Sequence, residues 1–233
     1  VHAVELKGVM KRFSNGTELT TVFTEADLTV TKGEIVVVQG GCKTGKTTLL
    51  NLIAAMTPAN KGSVLVFGTN LLSLRHRPDW RLANIAFITD DMSLNPCLSP
   101  LQNLLTGFQE GEKGYEEASL RAADVLSSLG ISNRDRGECL EELSRKETFL
   151  TSIARVFMSR NPLVLADEPE KVLADEEAHS AMSSLIRFAR KNSITVIIAS
   201  NDRRLSCQAD RTLVLKNGNV LSYQNKDPLK QAE

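Results

Sequence analysis

The sequence predicts an α/β fold: buried strands alternating with helices, an antiparallel β portion ahead of them, and a helical insert in the middle. Three observations carry this. IVVVQ, LVLAD and TVIIA are short apolar runs without polar alternation, the pattern of strands covered on both faces. The segment GGCKTGKTT separates IVVVQ from LLNLIAA, so a strand enters a glycine loop that opens a helix. Between about Ser99 and Ser159 the apolar spacing changes to the helical period near 3.6.

Taken in order, VELKGVMKRF and ADLTV read as antiparallel strands, and the KGE turn then feeds the buried strand EIVVVQ. After the loop helix, KGSVLVFG reads as another strand. RHR, Arg75 to Arg77, reads as a solvated turn and Trp80 as a packed side chain. IAFIT (Ile85 to Thr89) is a short buried strand. Helices follow over PLQNLLTGF, YEEASLRAADVLSSLG and SRKETFLTSIARVFMSR. Alternation resumes with PLVLADE, a helix from Asp175 to Lys191, ITVIIAS, a short helix from Arg203 to Gln208, and the strands TLVLKNG and NVLSY. KDPLKQAE reads as a loose tail. The expected organisation is one domain over 1–233, with 1–90 and 160–233 as the α/β core and 91–159 as a helical subdomain.

Gly40, Gly45, Lys46 and Thr47 satisfy the phosphate-loop pattern GxxxxGK[ST]. Glycine lets backbone N–H groups converge on phosphate oxygens, and the helix beginning near Gly45 adds unpaired donors and a positive dipole end. The expected ATP contacts are therefore Gly40, Gly41, Cys42, Lys43, Thr44, Gly45, Lys46, Thr47 and Thr48. Lys46 would reach the β/γ-phosphates and Thr47 would bind Mg²⁺. Cys42 has two readings, a reactive thiol near a helix N-terminus or a small buried side chain. LVLADEP ends a buried strand in two carboxylates. With the loop, this makes Asp167 a magnesium residue and Glu168 the group that orients or deprotonates the attacking water.

Lys plus Arg and Asp plus Glu number 28 each, so no basic excess points to nucleic acid. No apolar stretch approaches the roughly 20 residues of a membrane span and no secretion signal opens the chain, which predicts a soluble or partner-attached protein. Cys42, Cys97, Cys139 and Cys207 are scattered, as are His2, His76 and His179, so neither a disulfide framework nor a metal cluster is expected. Those histidines read as solvated.

The order of loop, short strand, helical insert, LADEP strand and ITVIIAS strand resembles, over nearly the whole chain, the nucleotide-binding subunit of ATP-binding cassette (ABC) transporters, a P-loop NTPase fold. LADEP is similar to the lipoprotein-release and macrolide-exporter branch, with the cell-division ATPase close behind. The resemblance implies Phe13 as the adenine-stacking aromatic; spacing alone equally allows a core phenylalanine.

Several family positions are replaced. The LSGGQ stretch reads LSRKE, Leu143 to Glu147, followed by Ile153, Ala154 and Arg155 where the family has IAR. Ser144 remains as a phosphate donor, while Arg145 and Lys146 stand for glycines whose missing side chains allow close approach. A solvated, charged helix start is the expected form. The glutamine after IAFIT is Asp90, a carboxylate able to bind metal but, when ionised, only to accept hydrogen bonds. The histidine after ITVIIAS is Asn201, an uncharged donor, and the aspartate of the loop after LADEP is Ala174, with Asp175 next.

The resemblance thus implies an ATP-binding subunit using ATP and Mg²⁺ on the cytoplasmic face of the inner or plasma membrane. Its partners would be transmembrane permease subunits and a second ATP-binding subunit, in a heterodimer rather than a homodimer. The implied work is export or lipoprotein or lipid translocation with weakened hydrolysis. The alternative is a structural or regulatory partner that binds ATP without turning it over, in a heterodimer or in a cell-division-type ABC complex.

Overall fold

The structure is a computed structural model and describes residues 1–16, 18–89, 94–132, 136–171, 173 and 175–224. β1 (His2–Asn15) and β2 (Glu18–Thr31) form a long antiparallel pair. β3 (Ile35–Gln39) leads into the glycine loop and α1 (Lys46–Ile53), followed by β4 (Lys61–Val66), β5 (Thr69–Asn70), α2 (Arg77–Asn84) and β6 (Ile85–Ile88). Then come α3 (Pro100–Leu104), α4 (Tyr115–Ser128) and α5 (Arg145–Met158). The chain closes with β7 (Leu163–Asp167), α6 (Asp175–Lys191), β8 (Thr195–Ala199), α7 (Arg203–Gln208), β9 (Arg211–Lys216) and β10 (Asn219–Gln224).

Two sheets result. The antiparallel one has the order β2-β1-β4-β5, and the larger one runs β10-β9-β3-β8-β7-β6 with every pair parallel except β9 with β10. The apolar runs are explained by the layering. Ile35, Val37, Val164, Ala166, Val196 and Ile198 face one core cluster; Val36, Val38, Leu163, Leu165, Ile197 and Ala199 face the other. Strands with two apolar faces show no alternation in sequence. The first cluster is completed by α3 to α6 and the second by α1 and the antiparallel sheet.

The helical period is equally explained by burial. α4 buries Ala118, Ala122, Val125 and Leu126, and α5 buries Phe149, Leu150, Ile153, Ala154 and Phe157. Each large apolar side chain so covered contributes about 1.5–3 kcal/mol. The Arg75 to Arg77 region differs from its reading as a turn, because Arg77 begins α2, an eight-residue helix with no buried residue. Trp80 is partly buried and packs on the second cluster, as expected.

Strand order places the site. β3, β8 and β7 are neighbours and parallel, so the glycine loop after β3, Asn201 after β8, and Asp167 with Glu168 at the end of β7 meet at one edge of the sheet. That is the edge where open parallel sheets bind ligands.

Candidate nucleotide site

The loop is shaped by backbone freedom. Lys43 and Gly45 adopt positive φ, 61° and 104°, and this alternation turns successive N–H groups toward one side. At Gly45 a β-carbon would stand 2.5 Å from Val22 Cγ1 on β2, so glycine is required by space as well as by φ. No side chain caps α1, which leaves the first-turn amides to an anion.

Lys46 is buried, at 6% exposure, and its Nζ donates to the carbonyls of Gly40 at 2.8 Å and Gly41 at 3.3 Å. The same ammonium stands 3.0 Å from Glu168 Oε1. Lys171, one turn further on, pairs with Glu168 Oε2. The Lys171 contact first, and Lys46 with it, hold the Glu168 carboxyl below the usual carboxylate range against the opposing effect of burial. Glu168 also has φ of 44°, unusual for a side-chain-bearing residue. Its backbone is held there by its N–H on the Ala199 carbonyl at 2.9 Å and by the Lys171 N–H on its own carbonyl at 3.1 Å.

Asp167 behaves oppositely. Burial pushes its carboxyl up, with the negative Glu168 adding to this, while the Thr47 hydroxyl hydrogen bond pulls it down. Its Oδ1 is buried and has no hydrogen-bond partner among the described residues. A hydroxyl and an orphaned carboxylate oxygen side by side fit a hard cation such as Mg²⁺, with Thr47 and Asp167 as the holding residues. Bound there beside a phosphate chain, the ion would neutralise negative charge on phosphoryl oxygens.

A cleft of about 640 Å³ brings Phe13, Cys42, Lys43, Thr44, Gly45, Lys46, Thr47, Thr48, Glu168, Lys171 and Asn201 together. Phe13 is 44% exposed at its rim, so the core reading of this ring is set aside; Lys11 Nζ lies 4.5 Å from the ring centre. Cys42 is exposed, which sets aside the buried reading. Asn201 accepts the Gly40 N–H on Oδ1 at 3.1 Å and so fixes the start of the loop. Thr44 Oγ1 donates to the Gly41 carbonyl at 2.9 Å.

Ser144 is not among the residues lining this cleft. It caps α5: its Oγ accepts the Glu147 N–H at 3.3 Å, and its own N–H donates to Glu147 Oε2 at 2.8 Å. Arg145 is exposed and Lys146 partly so, as expected of a charged helix start. Asp90 and Ala174 lie outside the described residues. His179 departs from its solvated reading, being partly buried with Nδ1 3.5 Å from Asp202 Oδ2. Lys171 was not singled out in sequence, although its i, i+3 spacing from Glu168 was the available signal.

Residues 23–171 match the family described as ABC transporter. The chain belongs to that family. A relative from Staphylococcus aureus (strain bovine RF122 / ET3-1), named putative hemin import ATP-binding protein HrtA, is 31% identical over 219 residues, 94% of this chain and 99% of the relative. The dimeric post-hydrolysis structure of the ATP-binding cassette MJ0796 bound to ADP and Pi has a TM-score of 0.81 at 25% identity, covering 96% of this chain and 99% of that one. The cbiO1 structure from Clostridium perfringens, at 21% identity, a TM-score of 0.85 and 99% of this chain against 91% of its own, is similar in fold. The α/β ABC ATPase fold is thus as the sequence predicts. As a member of the family, the chain is an ATP-binding subunit of an ABC transporter, and the family uses ATP with Mg²⁺. No helix among the described residues is long and apolar enough to cross a membrane.

Proposed function

We propose that this chain is the ATP-binding half of a heterodimeric ABC transporter in which its own phosphate loop works and its LSRKE segment serves poorly. The carrying observation is the division of residues: Lys46, Thr47 and Glu168 line one cleft and Asp167 is hydrogen-bonded to Thr47, whereas Ser144 lies elsewhere, followed by two cations where the family has glycines. In this reading Lys46 and the loop amides hold the phosphates of ATP, Thr47 and Asp167 hold Mg²⁺, Phe13 takes the adenine, and Glu168 orients the attacking water. Asp90 joins the magnesium shell and Asn201 the phosphate contacts. Ser144 addresses nucleotide held by the partner subunit; the MJ0796 cassette is a dimer, which supports pairing of this kind.

Residues 91–159 act as a helical arm against transmembrane permease subunits at the cytoplasmic face of the membrane. The cargo is a lipid-modified or amphiphilic molecule, for export or for lipoprotein or lipid translocation; the Staphylococcus aureus relative is named for hemin import. The test measures phosphate release by the purified chain, alone and with the ATP-binding subunit that co-purifies from its native membrane. Turnover that appears only with the partner and vanishes in Glu168→Gln is the expected result, and brisk turnover by the chain alone would overturn it.

A second reading, an ATP-binding regulatory subunit without turnover, is favoured by one observation. Glu168 is engaged by both Lys46 and Lys171. Tight ATP binding with no phosphate release in either setting would select it.

A further inference from the structure

At the opposite edge of the parallel sheet from the glycine loop, a cavity of about 610 Å³ opens beside Pro162 and Thr195, where β7 and β8 begin. That volume is in the range of small-molecule sites. Its walls carry three cations, Lys32, Arg121 and Arg160, and three aromatic rings, Phe67, Phe157 and Phe188; no carboxylate is among the described lining residues. Phe157 and Phe188 stack with centroids 3.8 Å apart, and Lys32 Nζ lies 5.6 Å from the Phe67 ring centre.

In a chain whose formal charges cancel, this local excess needs an explanation. Among the described residues neither Lys32 nor Arg121 has an ion-pair partner, and Arg160 has only Glu117, at 3.9 Å with both side chains largely exposed. Arg121 is partly buried and uses Nη2 on the Phe157 carbonyl at 2.8 Å. Burial, and after it the neighbouring Arg160, pushes its guanidinium below the ordinary value. Cations commonly offset the negative ends of helices, and α5 and α6 both end here, each worth about half a charge. Three cations against two half charges and Glu117 still leave about one positive charge facing the cavity.

We infer that this cavity binds a small organic monoanion with a flat apolar body, its charge on Arg121, Arg160 and Lys32 and its body against Phe157 and Phe188. α5 ends at this cavity and is capped at its start by Ser144, so an occupant would touch the helix whose other end carries LSRKE.

The test uses anilinonaphthalene sulfonate as probe, titrated by fluorescence into the full chain with and without saturating Mg-ATP. One saturable site that persists with Mg-ATP is expected. It should weaken about tenfold or more in Arg121→Gln, the loss of a charge-assisted contact, and likewise in Arg160→Glu and Lys32→Glu. Arg160 and Lys32 are exposed, so reversing them tests the site without disturbing the Arg121–Phe157 hydrogen bond. Unchanged affinity in both reversals, loss of the site on adding Mg-ATP, or equal binding of the neutral N-phenylnaphthylamine would each overturn the inference.

Discussion

Lys171 pairs with Oε2 of Glu168, the carboxylate we propose as the group that activates water, and does so from one turn further along the chain. A base neutralised by a cation accepts a proton less readily and is less free to turn toward water. Lys171 is 67% exposed, so solvent screening keeps the restraint weak. Lys171→Ala should therefore raise phosphate release by the partnered subunit about two- to five-fold, while Glu168→Gln lowers it at least about a hundred-fold. Phosphate-release assays on the two variants decide this, and an unchanged rate in Lys171→Ala would show that the pair imposes no restraint.

Asp167 should reveal a conflict between stability and function. Its buried, partnerless Oδ1 disfavours the charged form of this carboxyl in the ligand-free protein. Asp167→Asn removes that charge and should stabilise the ligand-free chain by about 1 kcal/mol, a rise in Tm of about 2–4 °C. The same variant should bind Mg-ATP at least about tenfold more weakly and lose the stabilisation that Mg-ATP gives the parent protein. Thermal melts with and without Mg-ATP measure both halves.

Most of this site could be read from residues 40–48 and 163–169 because phosphate recognition rests on backbone shape and a few obligatory side chains. The strands IVVVQ, LVLAD and TVIIA were legible for the related reason that both their faces are buried. α2 was not. RPDWRLAN has no apolar stripe, buries nothing fully, and is fixed by Trp80 packing and by Asn161 Nδ2 reaching the Leu82 carbonyl at 2.9 Å, contacts made with distant segments. β1 and β2 were legible only in pieces, since register shifts, one of them flanking Gly8 at φ of 55°, interrupt their alternation. The six-strand order was beyond reach of pattern, because it depends on pairings between strands far apart in the chain. The cleft contact of Lys171 was a different case: it lies only three residues from Glu168, and the i, i+3 spacing carried the signal.

Cys42 offers a chemical check on the loop. It is exposed beside Lys43 and Lys171 in the cleft, whereas Cys97 and Cys207 are exposed elsewhere. N-ethylmaleimide should modify all three in the ligand-free chain. Saturating Mg-ATP should slow labelling of Cys42 about tenfold or more and leave Cys97 and Cys207 unaffected, as read by peptide mass mapping. The labelled chain should no longer bind ATP, because the adduct fills the space the phosphates need. Normal ATP affinity after complete labelling of Cys42 would mean that the loop does not hold phosphate in this way.

Asp202 supplies a pH-dependent contribution away from the loop chemistry. It caps α7 by accepting the Arg204 N–H on Oδ1 at 2.9 Å, pairs with the Arg204 guanidinium at 2.9 Å through Oδ2, and faces His179. Burial raises its carboxyl, but the Arg204 hydrogen bonds and charge outweigh this and leave it below the ordinary 3.8. A carboxyl depressed on folding stabilises the fold above its unfolded value and loses that contribution as the pH falls through its folded value. Asp202→Asn keeps a competent cap and removes only the charge. Because Arg204 is 42% exposed, solvent screening should keep the loss at pH 7 small. Urea unfolding from pH 7 downward should show the two proteins converging as the pH drops below 3.8 and indistinguishable once the aspartate is protonated in both states. A gap that persists unchanged to the lowest pH would assign the stabilisation to shape and hydrogen bonding instead of charge.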